Sequence, residues 1–157
     1  MSATVTGHLL VGAIVRESEF WTHTGSVRRC HRSHTFTTDY CGQCGGPGKM
    51  VALREPAPML ERFAGLLKRT PEEVWNTELE VGMIGVSRVA AIIPADGTAP
   101  HLLAVCVADA GYSGNGRGRV CSVDFAALLA AHDRVTDLLT QLGIARPVQV
   151  YPVVYYS

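Results

Sequence analysis

Aliphatic runs separated by turn residues predict five β-strands in this chain. The runs lie at residues 4–16, 50–53, 81–93, 101–108 and 147–156. The third and fourth flank the turn sequence Pro-Ala-Asp-Gly, which predicts a hairpin, and two glycines in the third run predict bulges there. The last run, which includes the aromatic stretch 148–156, contains two prolines, so it is predicted to be an edge strand.

Capping residues predict three short helices in the first half of the chain. Ser18 is placed to cap a helical turn that ends at Gly25, with an adjacent phenylalanine and tryptophan as its anchors. Pro58 suits the first turn of a second helix, where backbone N–H groups have no helical partner. The sequence TPEE at 70–73 joins a cap hydroxyl to a glutamate three residues later, and it predicts a third helix that runs to about residue 79.

A long helix is predicted near the end of the chain, capped by Ser122 and ended by Gly143. Its apolar positions recur at helical spacing and predict one face that packs on the core. These positions are Phe125, Leu128, Leu129, His132, Val135, Leu138, Leu139 and Leu142. Strands and helices do not alternate strictly. The elements therefore predict an α+β fold, with a mostly antiparallel sheet covered on one face by two or three helices.

Length and composition set the broad class of protein. A chain of 157 residues can bury a core of its own, which predicts a single domain over residues 1–157. Basic and acidic residues number 14 each, so no global field attracts nucleic acid or anionic lipid, and any such binding has to be local. The apolar run at 9–15 is too short to span a membrane and follows no basic segment, so neither a membrane span nor a secretory signal is predicted.

Five cysteines, three of them in one cluster with histidines, favour metal binding in a reducing compartment and predict a cytoplasmic protein. The cluster is the segment CHRSHTFTTDYCGQC at 30–44. Cys41 and Cys44 lie three residues apart around a glycine-bearing turn, which lets both thiols reach one ion. Cys30 would be a third ligand. The alternative for Cys41 and Cys44 is a redox pair, which the absence of a strand leading into a Cys-x-x-Cys helix disfavours.

A nearby histidine would complete the site. We favour His34 over His31, because the side chains of Cys30 and His31 diverge in an extended chain, whereas three intervening residues allow a turn. His23 is a more remote candidate. A set of four protein ligands predicts structural Zn²⁺ rather than a catalytic ion with an open position.

Tyr40 followed by Cys-x-x-Cys-Gly, with a cysteine and a histidine about ten residues earlier, resembles the second knuckle of a zinc ribbon. The first knuckle of such ribbons is usually Cys-x-x-Cys, and here it would be Cys30 with either His34 or His31, of which we favour His34. The placement after a Phe-Trp turn is similar to that in small zinc-ribbon accessory proteins of bacteriophages. The resemblance implies a zinc-ribbon hairpin inserted at about 26–49 and a phage-encoded factor that acts on a host protein.

Two other segments carry candidate chemistry. Arg28, Arg29 and Arg32, together with Lys49, could contact a phosphate backbone, although acidic neighbours favour an ordinary solvated face. The glycine-rich stretch 111–118 could cradle a phosphate, but its spacing matches no nucleotide-binding motif, and a loop is the simpler interpretation. The basic residues beside that stretch are Arg117 and Arg119.

Acid–base pairs could be imagined at His132 with Asp133 or at His101 with Asp109, but no nucleophile motif accompanies either pair. We expect His132 to be a core residue of its helix and Cys106 to be buried in a strand, whereas Cys121 could be exposed. The sequence therefore predicts a non-enzymatic zinc protein that contacts another protein. The alternatives are a nucleic-acid-binding module and, less favoured, a phosphate-binding enzyme that uses the glycine-rich stretch.

Overall fold

The computed structural model describes residues 5–88, 101–112 and 123–156. In chain order the strands and helices are β1 (Val5–Val15), α1 (Glu17–Phe20), β2 (Trp21–Arg29), β3 (Thr35–Phe36), β4 (Lys49–Pro56), α2 (Pro58–Leu67), α3 (Pro71–Val74), β5 (Ile84–Arg88), β6 (His101–Tyr112), α4 (Phe125–Leu142) and β7 (Gln149–Tyr156). All pairs among the described strands are antiparallel. The predicted α+β class is therefore confirmed.

The main sheet has the strand order β5-β6-β1-β7. The last strand, β7, pairs only with β1 among the described strands, so the predicted edge position is confirmed. Strands β5 and β6 pair as predicted for a hairpin, although their connecting turn lies outside the described residues. Gly12 lets β1 approach β6 closely, because a Cβ there would lie 2.3 Å from the carbonyl oxygen of Leu103.

One face of the main sheet carries the larger core. Alternate residues of β1, β5 and β6 point to this face and meet buried residues of all four helices, chiefly α2 and α4. The fully buried members of this core, each 0–1% exposed, are Val11, Ala13, Val15, Phe20, Leu60, Phe63, Val74, Val86, Leu103 and Val135. The opposite face carries a smaller cluster of Leu10, Leu79, Leu102, Ala104, Cys106 and Val153.

A second sheet, ordered β3-β2-β4, forms a separate structure that we call the arm, residues 21–56. Its base is anchored in the main core by Phe20 and Trp21, whose rings contact Trp75. The guanidinium of Arg54 lies 4.2 Å above the Trp21 ring, and the N–H of Ala57 donates to the Phe20 carbonyl at 2.9 Å. The arm is longer than the insertion predicted at about 26–49, and the division into domains stays a prediction.

The arm has almost no hydrophobic core. Between residues 22 and 56, all of which are described, only Cys30 and Cys41 are buried. Strand β2 is exposed along most of its length and lacks an apolar run, so the hydrophobic pattern predicts no strand there. A two-stranded ribbon exposed on both faces is marginal in water. Something other than hydrophobic burial must therefore hold the outer part of the arm together.

Three predictions about the short helices are wrong. Arg16, not Ser18, precedes α1, and its N–H donates to the Glu19 carboxylate at 2.8 Å. The helix ends at Phe20, whereas Gly25 lies at a bulge in β2 with φ +153°. Helix α3 ends at Val74 rather than near residue 79, because Trp75 is extended and buried in the core.

The predicted start and face of α4 also need correction. Asp124 is its N-cap and accepts a hydrogen bond from the Ala126 N–H at 3.1 Å, whereas Ser122 lies outside the described residues. Gly143 ends the helix in the left-handed conformation, as predicted. Phe125 is 72% exposed and Leu129 is 50% exposed, and His132 is exposed rather than in the core. The second half of the predicted apolar face packs on the core, and in the first half only Leu128 does so.

The strand predicted at 81–93 does not bulge at the second of its two glycines, Gly85. Gly85 pairs regularly with Ala104, and a Cβ there would lie 3.1 Å from Leu79, so the glycine permits close packing. Gly82 precedes β5 with φ +84°. Residues 89–93 of the predicted strand lie outside the described residues.

His101 is buried at the start of β6, stacked on Trp75 with ring centroids 4.5 Å apart. Burial lowers its pKa, and the guanidinium groups of Arg88 and Arg54 lower it further, against an opposing effect of Glu17. The folded protein therefore binds fewer protons here than the unfolded chain, in which the histidine pKa is about 6.5.

We expect this histidine to make the fold less stable as pH falls through about 6.5, because protonation favours the unfolded chain. The measurement is the free energy of unfolding in denaturant at pH 7.5 and pH 5.5, with saturating zinc at both values. His101→Leu should lose less stability than the wild type between the two pH values. An identical loss in both proteins would contradict this assignment.

Candidate metal centre

Four side chains at the end of the arm point their donor atoms at one another. The thiols of Cys30, Cys41 and Cys44 and a ring nitrogen of His34 all lie within 4.8 Å of each other. In the described part of the chain, this is the only such group of three or more histidine, cysteine or acidic residues. The structure therefore brings together the four side chains predicted from the sequence, and they could coordinate a metal ion.

The donor set fits zinc. The Cys41 Sγ lies 3.5 Å from the His34 Nδ1. A tetrahedral zinc with Zn–S of about 2.3 Å and Zn–N of about 2.0–2.1 Å would separate a sulfur and a nitrogen ligand by about 3.5 Å. Soft thiolates with one imidazole are also the ligand types that zinc takes in closed structural sites.

The first pair of donors, Cys30 and His34, is held by a tight turn. The Ser33 N–H donates to the Cys30 carbonyl at 2.9 Å, and the Cys30 N–H donates to the His34 carbonyl at 3.1 Å. Ser33 has φ +63°, which is unusual for a residue with a side chain. This reversal of the chain turns the imidazole back towards the cysteine.

The second pair, Cys41 and Cys44, is held by a turn at 42–44 that does not lead into a helix. The Gly45 N–H donates to the Cys41 carbonyl at 2.7 Å, and the Cys41 N–H donates to the Gly46 carbonyl at 3.0 Å. Gly45 adopts the left-handed conformation, with φ +68°. The turn directs both thiols towards the first pair of donors.

The electrostatics of the cluster favour a bound cation. Burial alone would raise the pKa of Cys41, but N–H groups of Cys44 and Gln43, with the Cys44 and His34 side chains, lower it to about 6. The Gly46 N–H also lowers the pKa of Cys44, yet burial and the thiols of Cys41 and Cys30 raise it overall. Two thiolates this close repel each other, so ionisation of Cys41 opposes ionisation of Cys44. A divalent ion would remove this conflict.

The alternative ligands lie elsewhere. His31 and His23 are both exposed and outside the cluster, although the His31 ring comes near Gly46. A redox pair of Cys41 and Cys44 would leave the convergence of Cys30 and His34 on the same point unexplained. The choice of His34 as ligand stays a prediction that the arrangement favours.

The other candidate residues do not form a comparable site. His132 and Asp133 lie on the exposed surface of α4, with 3.5 Å between Nδ1 and Oδ1. His101 and Asp109 are eight residues apart on β6, so they cannot act on one group. Most of the glycine-rich stretch 111–118, with Arg117, Arg119 and Cys121, lies outside the described residues. The Asp124 carboxylate occupies the N-terminus of α4, where its charge would repel a phosphate.

One group of side chains in contact outside the metal cluster was not predicted from the sequence. The Cys106 thiol lies 3.5 Å from the His8 Nδ1, and the His8 Nε2 lies 3.8 Å from the Glu78 carboxylate. The prediction that Cys106 is buried is confirmed, and burial raises its pKa. Its sulfur also donates to the Ala108 carbonyl. A buried, protonated thiol acts as packing here, and no sequence signal links residues 98 positions apart.

No protein-family model, curated protein or solved structure matches this chain. No helix in the described ranges has the length and apolar character needed to cross a membrane.

Gly45→Ala should weaken zinc binding roughly 5- to 30-fold, because a Cβ in the left-handed conformation costs about 1–2 kcal/mol. Gly42→Ala is the matched control, since neither glycine has an atom within 4 Å of its added Cβ and only Gly45 has a positive φ. Competition with a chromogenic zinc chelator measures both affinities. Equal affinities for the two variants would contradict the described turn.

Proposed function

We propose that this protein is a zinc-binding interaction module in which a structural zinc ion holds the arm in shape and the arm contacts a partner protein. Zinc would be bound by Cys30, His34, Cys41 and Cys44. Its role would be structural, because four protein ligands leave no open coordination position for a substrate. When bound, the ion would cross-link the turn that carries Cys30 and His34 to the turn that carries Cys41 and Cys44.

The observation that carries this proposal is the coincidence of the metal cluster with the only buried residues of the arm beyond Trp21 at its base. Cys30 is 5% exposed and Cys41 is 2% exposed, whereas the strands that lead to them are largely open to solvent. A metal site at the end of a sheet that has little core of its own would stabilise that sheet in particular. The main core does not need the ion, because it has its own buried cluster.

The surface of the arm supports contact with a macromolecule. Tyr40, Met50 and Leu53 are 65%, 60% and 41% exposed. Exposed aromatic and methionine side chains are enriched at protein interfaces. The partner and a cytoplasmic or bacteriophage setting stay predictions.

Nucleic-acid binding is the second candidate, because residues 26–49 hold four basic side chains and one acidic side chain. Arg29 and Arg32 are exposed, whereas Arg28 is engaged by Asp39 at 3.1 Å. Binding to a phosphate backbone would weaken steeply with salt. A duplex or single strand that binds with a steep salt dependence would favour this candidate over a protein partner.

The test places a photo-crosslinking amino acid at Met50 or Leu53 of the arm, or at Leu66 of α2. Leu66 is the matched control, with an exposure of 42% against 41% for Leu53. Full-length, zinc-loaded protein is illuminated in cell lysate. The proposal expects one protein crosslinked from the arm and not from α2, and lost when Cys41 and Cys44 are replaced by serine. Equal crosslinking from all three positions would contradict it.

A further inference from the structure

The two faces of the β2–β4 ribbon differ in what covers them. Register places Arg28, Met50 and Phe36 on one face. There the Phe36 ring crosses Gly48, where an added Cβ would lie 2.3 Å from the ring. Arg28 on this face is paired with Asp39. This face is therefore partly filled by the arm's own side chains, and its cation is neutralised.

The other face, which we call the open face, consists of Gly25, Val27, Arg29, Thr35, Lys49, Val51 and Leu53, and the alternation along β4 continues it to the exposed Glu55 near the base of the arm. It is built of cross-strand rows. Arg29 lies opposite Lys49 near the metal cluster, Val27 lies opposite Val51 in the next row, and Leu53 follows. Val27 and Val51 are partly exposed, whereas Arg29, Lys49 and Leu53 are exposed.

The cationic row is not explained by contacts within the chain. Like charges directly opposite each other on a ribbon destabilise it. Among the described residues, no carboxylate forms a salt bridge with Arg29 or Lys49 within 4.0 Å. The two rows next to them present aliphatic side chains to water. A ribbon that only had to remain folded in water would be more stable with an oppositely charged pair in place of Arg29 and Lys49. It would also present polar side chains to water in the rows that are aliphatic here.

We infer that the open face binds an extended segment of a partner protein in which acidic and aliphatic residues are combined. The inference rests on the proposed function and names the chemistry of its partner. Carboxylates of the segment would meet Arg29 and Lys49, and its aliphatic side chains would cover Val27, Val51 and Leu53. A protein segment fits better than a nucleic acid, because the open face has no aromatic side chain on which bases could stack.

The test uses zinc-loaded full-length protein and two fluorescent 12-residue probes, one alternating leucine with glutamate and the other alternating leucine with lysine. Fluorescence anisotropy should show the acidic probe binding at least tenfold more tightly than the basic probe. Arg29→Glu combined with Lys49→Glu should reverse this preference. Arg62→Glu combined with Lys68→Glu makes the same charge change at exposed positions of α2 and its end, and it should leave the preference unchanged.

Three results of the probe experiment would overturn the inference, and one result of the crosslinking experiment would do so too. The first is equal binding of both probes, and the second is an unchanged preference in the Arg29 and Lys49 double variant. The third is tighter binding of a single-stranded oligonucleotide than of the acidic probe. A partner crosslinked from Met50 but not from Leu53 would leave the arm as the contact site and still overturn the open face as its docking surface. Loss of all arm crosslinks would instead contradict the proposed function.

Discussion

Removal of zinc by a chelator is expected to unfold the arm while the main sheet and its helices remain folded. Zinc binding to small structural sites is worth about 10–16 kcal/mol at neutral pH, and the arm has no hydrophobic cluster that could replace it. Amide hydrogen exchange should accelerate by at least about 100-fold between β2 and β4, and stay slow in α2 and α4. The measurement is exchange followed by mass spectrometry, with and without the chelator.

Cys44→Ser should reproduce the effect of the chelator, because it removes one thiol from the site. Cys106→Ala is the matched control, since it removes a cysteine that lies in the smaller core cluster, away from the arm. It should keep the bound zinc and the slow exchange of the arm. Two results would contradict this expectation. Unfolding of the whole chain on zinc removal would mean that the ion stabilises the main sheet as well, and unchanged exchange in the arm would mean that the ion does not stabilise the arm.

Trp75→Ala is expected to destabilise the main core by about 3–5 kcal/mol, the usual cost of emptying a large aromatic site. Trp75 is 4% exposed and contacts three other rings, with centroid distances of 5.5 Å to Phe20, 6.0 Å to Trp21 and 4.5 Å to His101. Since Trp21 begins the arm, the substitution should also loosen the arm at its base. Denaturant unfolding at pH 7.5 measures the loss.

Phe125→Ala is the control for Trp75→Ala. Both residues are large aromatics, but Phe125 is 72% exposed at the first turn of α4. Its replacement should change the free energy of unfolding by less than about 0.5 kcal/mol. A loss of several kcal/mol at Phe125 would show that the first turn of α4 is covered in solution, as the helical periodicity predicts.

Local signals predicted several helix ends in this chain, although the predicted caps of α1 and α4 and the predicted end of α3 were wrong. The capping box at Thr70 forms as predicted, with the Glu73 carboxylate accepting from the Thr70 N–H at 2.7 Å. Gly143 ends α4, and a proline opens α2. These features depend on a few neighbouring residues, and their hydrogen bonds close within one helical turn. The ends of β1 were also predicted to within one residue.

Features that depend on distant contacts were predicted less well. The period of the apolar residues in α4 was right, but the sequence cannot say that Phe125 and Leu129 extend beyond the packed part of the helix. The pattern gives no sign of β2, because neither face of this strand is buried. In the metal cluster, the Cys41 and Cys44 pair follows from spacing alone, whereas the convergence of Cys30 with His34 depends on the left-handed Ser33. The sequence does not reveal that conformation.

The most direct test of the central claim is zinc-edge X-ray absorption of the purified full-length protein, combined with elemental analysis. The account predicts one zinc ion per chain, with three sulfur ligands at about 2.3 Å and one nitrogen ligand at about 2.0–2.1 Å. His34→Ala should lower the nitrogen count and His31→Ala should not. A protein without zinc would contradict the account. So would a zinc ion that has an oxygen ligand and keeps its nitrogen ligand in the His34→Ala variant.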